Sequence, residues 1–424
     1  MKPPIDDALP SRVSSDCPQD TRDLLHHAWA HDLTGLKELL TAREKANAQD
    51  PLTGETPLHA AIRACGPSDD GDDDDEDEEG CVQEAKSVLE ELFFSGAIWN
   101  DVDDHGETPG CVARRLGRKS LYRMCVDAGV RAELLFALMG SYEELASGSE
   151  ADDDVEADHE DKADRGDKAH NSNEADGNDD EHASHDKPVT SEDYLQSKLN
   201  FDADKLVDSD LNGVMMAWET DIMRRSVSSL IPDSQKGKRI LNIGFGMGIV
   251  DRFFADLKPS RHHIIEAHPS VVAHASKPES GFGPRWEETG PEPGAFKLHA
   301  GTWQHVVPKL LEQGELYDVI YFDTFGEDYS QLKDFFTEYV PGLLDQHGRF
   351  SFFNGLGADR QICYDVYTKV VEVHCADAGL DVEWLEIPVD MAGLDEDGKG
   401  QWEGVRRRYW TLSTYRLPIC TFMG

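Results

Sequence analysis

The stretch with the clearest chemical potential is Gly244-Phe245-Gly246-Met247-Gly248-Ile249, which directly follows the apolar run Arg239-Ile240-Leu241-Asn242-Ile243. Glycines at alternate positions remove Cβ atoms, so the backbone can bend tightly and a ligand can approach it. The expected ligand is nucleotide-like; a plain strand-to-helix turn is the bland alternative. Spacing separates two cofactors. A dinucleotide fingerprint needs a glycine at the sixth position, where this chain has Ile249. The pattern G-x-G-x-G suits the amino-acid end of S-adenosylmethionine, which brings no pyrophosphate to the helix, and a nicotinamide dinucleotide is the competing reading. Glu266 follows Gly244 by 22 residues at the end of His263-Ile264-Ile265-Glu266, where a carboxylate can accept from ribose hydroxyls. Asp323 ends Tyr317-Asp318-Val319-Ile320-Tyr321-Phe322-Asp323. Ligands of open parallel sheets bind beyond the carboxyl ends of the strands, so Asp323 is expected to face the bound molecule, with capping of the next helix as the alternative.

These positions need a sheet behind them. From about Pro188 onward, apolar runs at 239–243, 263–266, 296–299, 317–323 and 348–354 alternate with helical stretches at Val250–Leu257, Leu332–Leu344 and Asp365–Ala378. Runs of this kind, spaced by helices, predict a parallel sheet covered on both faces. Val382–Pro388 and Tyr409–Leu417 are expected to close it as an antiparallel hairpin.

The N-terminal third reads as short helices with glycine-containing turns, and it repeats. Gly54-Glu55-Thr56-Pro57-Leu58-His59-Ala60-Ala61 returns in weaker form as Gly106-Glu107-Thr108-Pro109-Gly110-Cys111-Val112-Ala113, 52 residues later. Removing a 19-residue insert around an acidic run restores a period of 33, and the first copy resembles the T-P-L-H-x-A helix start of ankyrin repeats. Threonine caps the helix, proline occupies its first turn, and alanines let paired helices approach. His59 is read as a helix-start hydrogen-bonding residue. Leu24–Leu40 is expected as an upstream helix pair, with later helices at Val88–Gly96 and Leu121–Gly140.

Charge is unevenly placed. The formal net charge is -43, and residues 69–79 hold ten Asp/Glu with no base, while 149–186 hold sixteen acids against three Lys/Arg. Such runs are expected to be solvated, and their field favours basic partners while arguing against direct nucleic-acid binding. Eight scattered cysteines without a CxxC pair argue against a zinc site or a disulfide scaffold, so no metal is expected. No apolar segment approaches the roughly 18 residues needed to span a bilayer, and no signal peptide is expected.

Five motifs together carry a closer resemblance. Val214-Met215-Met216-Ala217-Trp218-Glu219-Thr220, Asn242 through Ile249, Ile264-Ile265-Glu266-Ala267-His268, Gly301-Thr302-Trp303 and Tyr321-Phe322-Asp323-Thr324 resemble, in matching order, the guanidinoacetate N-methyltransferases. With ankyrin-like repeats in front, the whole chain is similar to the fungal protein arginine N5-methyltransferases, also called type IV. The resemblance implies an α/β fold, a Rossmann-like class I methyltransferase sheet with an antiparallel C-terminal hairpin over 188–424. In front of it come an acidic linker at 149–187 and an all-α ankyrin-like module over 1–148 with an acidic insert at 66–80.

The resemblance also implies roles. Gly244, Phe245, Gly246, Met247, Gly248 and Ile249 would line the methionine end of S-adenosylmethionine, and Glu266 its ribose. Ala267, His268, Trp303 and Gln304 would surround the adenine. Phe201, Met215, Met216 and Met223 would close over the donor. Asp323, with Glu219 as partner, would grip the substrate guanidinium as catalytic residues, and Asn354-Gly355-Leu356 would border its pocket. The products would be S-adenosylhomocysteine and an arginine methylated on its internal nitrogen, in a basic and ribosomal protein. A monomer in cytoplasm and nucleus, with no membrane contact, completes the expectation. A methyltransferase for a small guanidino metabolite and a non-catalytic ankyrin adaptor are the alternatives. Core packing is the bland reading for Trp218, Trp303 and the methionines, and a helix start for His268.

Overall fold

A computed structural model describes residues 8–68, 80–148, 190–202, 204–394, 400–406 and 408–424. The acidic run 69–79 and the linker 149–187 lie outside the described residues. The N-terminal module consists of α1 (Leu9–Arg12), α2 (Gln19–Trp29), α3 (Leu33–Leu39), α4 (Pro57–Arg63), α5 (Gly80–Phe94), α6 (Pro109–Arg115) and α7 (Lys119–Gly148). The two Gly-Glu-Thr-Pro segments open α4 and α6 alike: the Thr56 and Thr108 hydroxyls accept the backbone N–H of His59 and of Cys111, each with proline in the first turn. His59 has no room to titrate freely. It is buried, and its Nε2 lies 3.0 Å from the Glu107 carbonyl, joining one repeat start to the next.

Small side chains at the repeat starts allow close stacking, and Ala60, Ala61, Val112 and Ala113 are all buried with Leu24, Leu25 and Leu58. Charge is buried there too, and paired. Arg63 bonds Glu55 and lies 2.6 Å from Asp103, while Arg12 of α1 reaches Glu55 at 3.2 Å and Asp103 at 3.0 Å. Compensation of this kind is what allows carboxylates to leave water.

The second part begins with α8 (Ser191–Gln196), a small antiparallel sheet of β1 (Asn200–Phe201), β2 (Lys205–Val207) and β3 (Gly213–Met216), and α9 (Thr220–Leu230). Alternation follows: β4 (Arg239–Ile243), α10 (Ile249–Asp256), β5 (Arg261–Glu266), α11 (Pro269–Ala275), α12 (Pro284–Glu287), β6 (Phe296–Ala300), α13 (Trp303–Glu312) and β7 (Tyr317–Phe322). After α14 (Tyr329–Asp334), a π-helical turn at Phe335–Tyr339 leads into α15 (Val340–Leu343) and β8 (Leu344–Phe352). The chain ends with α16 (Gln361–Asp377), β9 (Leu380–Pro388), α17 (Met391–Leu394) and β10 (Thr414–Phe422).

The large sheet has the order β6-β5-β4-β7-β8-β10-β9, parallel from β6 to β8 and antiparallel at β10. Chain progression reverses between β4 and β7, and such a reversal opens a crevice beyond the strand ends. The strands there are apolar on both faces, as burial by helices on both sides requires.

Several boundaries differ from the sequence reading. The last strand starts at Thr414, not Tyr409, because Trp410 and Leu412 are drawn into a buried cluster with Trp402 and Tyr415 and so leave the strand path. The helix before β8 ends at Leu343, and α5 starts at Gly80, eight residues earlier than expected. The small N-terminal sheet and α9 were not expected. α9 was legible in principle, since Ile222, Met223, Ser226, Val227 and Leu230 recur at helical spacing and are buried.

The two parts share a core. Ile362, Val366 and Val370 of α16 are buried in the cluster that includes Val112, Leu121 and Cys125 of the repeat module. Tyr122 donates to Asp365 at 2.6 Å and Tyr367 to Glu133 at 3.1 Å across that junction. No helix among the described residues is long and apolar enough to cross a membrane.

Candidate active site

The crevice at the ends of β4 and β7 is built by close backbone approach. Gly244 has φ +93°, and a Cβ placed there would stand 1.8 Å from the Asp323 carbonyl oxygen, so any side chain would push the two strand ends apart. Its N–H donates to Ile265 and the Asp323 N–H donates to Ile243, both at 2.8 Å, which pins the turn to the sheet. Gly246 (φ +53°) faces Met215, whose methyl carbon would be 2.6 Å from an added Cβ. Gly248 is the N-cap of α10.

Glu266 organises the same turn. Its Oε2 accepts from the Phe245 N–H at 2.9 Å and the Gly246 N–H at 3.4 Å, and its Oε1 accepts from His268 N–H at 2.6 Å. Burial pushes this carboxyl up, partly offset by those backbone donors. Beneath the turn, Asn242 donates to the Gly244 carbonyl and to Asp251, each at 2.8 Å, and Asp251 in turn meets His262 at 2.9 Å.

Asp323 sits at the rim. Its Oδ2 is buried with no hydrogen-bond partner among the described residues, and burial together with the charges of Asp251 and Glu266 lifts its carboxyl to about 7. The following helix is capped by Asp328, which accepts from Ser330 N–H at 2.9 Å, so Asp323 is not spent as a cap. Glu219 ends a 3-10 turn at the start of α9 and is buried, outside the cavity lining; burial and the Asp323 charge push it well above the usual carboxylate range, while the Tyr409 hydroxyl donates to it.

A cavity opens onto this region. Of the residues singled out in the sequence, Met215, Gly244, Gly246, Glu266, Ala267, Trp303, Gln304 and Asp323 line it. Others stand back. Phe245 is buried under the turn and Ile249 in the same core, with Met223. Met216 packs among Ile222, Trp410 and Tyr415 in another. Phe201 stacks on His274 with ring centroids 4.3 Å apart. Met247 N–H contacts the Met215 sulfur at 3.1 Å. The His268 ring caps α11, with Nδ1 accepting from Ser270 N–H at 3.0 Å. Asn354 is buried and bonded to Tyr364 and Arg416.

Residues that the sequence reading passed over complete the lining. Tyr194 of α8, whose ring lies 4.9 Å from His268 and 5.1 Å from Phe325, closes one side. Glu327 gathers three donors: Trp303 Nε1 at 2.9 Å, Gln304 Nε2 at 3.2 Å and Thr324 Oγ1 at 2.7 Å. The capping box Thr190-x-x-Asp193 was the available signal for α8. For Glu327 no local signal existed.

The lining fits S-adenosylmethionine chemically. The glycyl backbone of Gly244 and Gly246 leaves room for an amino-acid end, and the Glu266 carboxylate on the same wall can accept from ribose hydroxyls. Asp323 Oδ2, an acceptor out of water without a donor, suits a cationic ligand such as a sulfonium or a guanidinium. Among the described residues, the cluster of Asp103, Asp104 and His105 has metal-like spacing, but it lies in the repeat module and Arg12 pairs with both acids.

Comparison with known proteins agrees. The guanidinoacetate N-methyltransferase family profile matches residues 191–374. A Gibberella zeae protein described as protein arginine N-methyltransferase 2 is 66% identical over 415 residues, covering 97% of this chain and 94% of that one. A Neurospora crassa protein of the same description is 60% identical over 431 residues, covering 99% of each. Identity of this extent across both the repeat module and the catalytic part shows that the chain belongs to the fungal protein arginine N-methyltransferase 2 family and is a methyltransferase.

Proposed function

We propose that the enzyme moves the methyl group of S-adenosylmethionine to the internal, N5 guanidino nitrogen of an arginine in a basic protein, with ribosomal proteins as the expected class. The observation that carries this is Asp323 on the cavity wall, with its Oδ2 buried and without a partner among the described residues, and the buried Glu219 in its field. When bound, S-adenosylmethionine supplies an already activated methyl group. The protein's task is alignment and exclusion of water.

Guanidinium nitrogens are poor nucleophiles because their lone pairs are delocalised. Carboxylates that take the terminal N–H groups fix the plane and draw positive charge towards those nitrogens, which leaves more lone-pair character on the internal one. Asp323, poised near neutrality, accepts the proton that the methylated nitrogen releases. Tyr409 holds Glu219 in place by its hydroxyl bond.

The family profile over 191–374 also favours a second reading, methylation of a small guanidino metabolite. Incubating the full chain with arginine-containing basic proteins and with guanidinoacetate separates the two. Mass spectrometry whose fragment ions place the methyl on the internal nitrogen is the expected result; a terminal-nitrogen methyl, or turnover of guanidinoacetate alone, overturns the reading.

A further inference from the structure

The repeat module exposes large apolar side chains that its own fold does not need. Phe94 at the end of α5 is 87% exposed, and Leu135 and Phe136 of α7 are 56% and 66% exposed. Together with Phe93 and Trp99 they line a groove of about 980 Å³. Isolated exposed leucines need no explanation, but several large side chains gathered along one groove mark an interaction surface.

Its rim is acidic. Glu90, Asp127 and Glu133 stand along it against Arg131 and, paired with Asp127, Lys369, which leaves an excess of one acid. The groove also abuts the catalytic part, since Asp127 pairs with Lys369 at 2.9 Å and Glu133 accepts from Tyr367, both partners lying on α16. That helix holds Asn354 through Tyr364, so the groove and the loop after β8 are tied to one rigid element.

Three occupants compete. The two acidic segments offer no match: residues 69–79 contain no large apolar side chain, and 149–189 contain only Val155 and Val189. A second copy would bring another net charge of -43 against this one, and like charge opposes close approach. A helix with large apolar side chains on one face and Lys/Arg on the other satisfies both the groove and its rim. We propose that this groove docks a basic amphipathic helix of the protein substrate, holding it beside the catalytic part. The proposal rests on the reading of a basic protein as substrate and adds where that protein is held.

The test uses the full chain and a synthetic 16-residue helix of leucine and lysine, with leucines at positions i, i+3, i+4 and i+7, beside a leucine–glutamate helix of the same pattern. Titration calorimetry compares the native chain with Phe94→Ser/Phe136→Ser, exposed positions whose change removes apolar surface without altering charge. The expected result is binding of the lysine helix by the native chain, weakened about tenfold in the serine pair, and no binding of the glutamate helix. Equal affinity in both chains would mean simple adhesion to acidic surface and would overturn the proposal. So would sedimentation showing a native dimer that the serine pair splits, because a second copy would then be the occupant. S-adenosylhomocysteine affinity is read on the same samples: its absence strikes the methyl-transfer reading, whereas loss of the peptide contrast strikes only the groove.

Discussion

Both halves of the molecule bury carboxylates, and they treat them in opposite ways. In the repeat module, Glu55 and Asp103 are met by Arg12 and Arg63, which are themselves almost fully buried. In the catalytic half, Glu219 lies in the field of Asp323, and Asp323 in that of Asp251 and Glu266; among the described residues Glu219 meets a tyrosine hydroxyl and neither acid meets a base, and burial drives both carboxyls upward. The lesson is that a compensated buried charge holds a fold together, while an uncompensated one stores a demand for a cation. Folding alone gives no reason to tolerate the second arrangement; the proposed guanidinium ligand would supply one.

The sharpest way to break this contrast is to remove the compensation where it exists. Arg63→Met should leave Glu55 and Asp103 buried with one of their two shared partners gone and cost roughly 3–5 kcal/mol, read as a lowered denaturation midpoint. A loss below about 1 kcal/mol would mean that water or Arg12 alone can do the job. In the catalytic half the corresponding change should spare the fold. Asp323→Asn keeps the shape and removes the charge, so methyl transfer should fall about 100-fold or more while thermal stability holds or rises. Undiminished turnover would remove Asp323 from the mechanism.

Acidity sharpens the contrast further. An acid whose carboxyl is raised in the folded state, as Asp323 is to about 7, keeps its proton on folding, so the fold binds more protons than the unfolded chain between roughly pH 4 and 7. Ligand-free stability should therefore decline as pH rises through that window, and Asp323→Asn should flatten the decline. Guanidinium binding needs the ionised form, so substrate affinity should climb with pH up to about 7 and level off above it. A native melting profile matching that of the Asn variant at every pH would contradict the assignment. The smallest effect is local. Thr108→Ala removes the cap of α6 and should cost about 1 kcal/mol with no change in donor affinity.

How much of this was legible depends on how local the cause is. The turn from Gly244 to Gly248 could be read because contacts with Asp323 and Met215 forbid side chains, and a forbidden side chain leaves a glycine in the sequence. The places of Asp323 and Glu266 on the cavity wall could be read because the ends of parallel strands border the crevice. Phe201, Met216 and Met223 look equally suited to a pocket, yet they pack on His274 or in buried clusters. Apolar type cannot distinguish a cavity wall from a core, because the same transfer free energy favours both.

By itself, then, the sequence determined what is enforced by neighbours along the chain: the capped repeat starts at Thr56 and Thr108, the glycyl turn, the alternation of strands and helices, and the imbalance of charge. Tertiary structure alone decided what depends on residues far apart in number. It brought Tyr409 to Glu219 across 190 positions, drew Trp303, Gln304 and Thr324 onto Glu327, and set α16 into the core of the repeat module. The physical reason is that a hydrogen bond or a buried contact acts over a few ångströms of space and leaves no mark on sequence spacing when the chain between its partners is long.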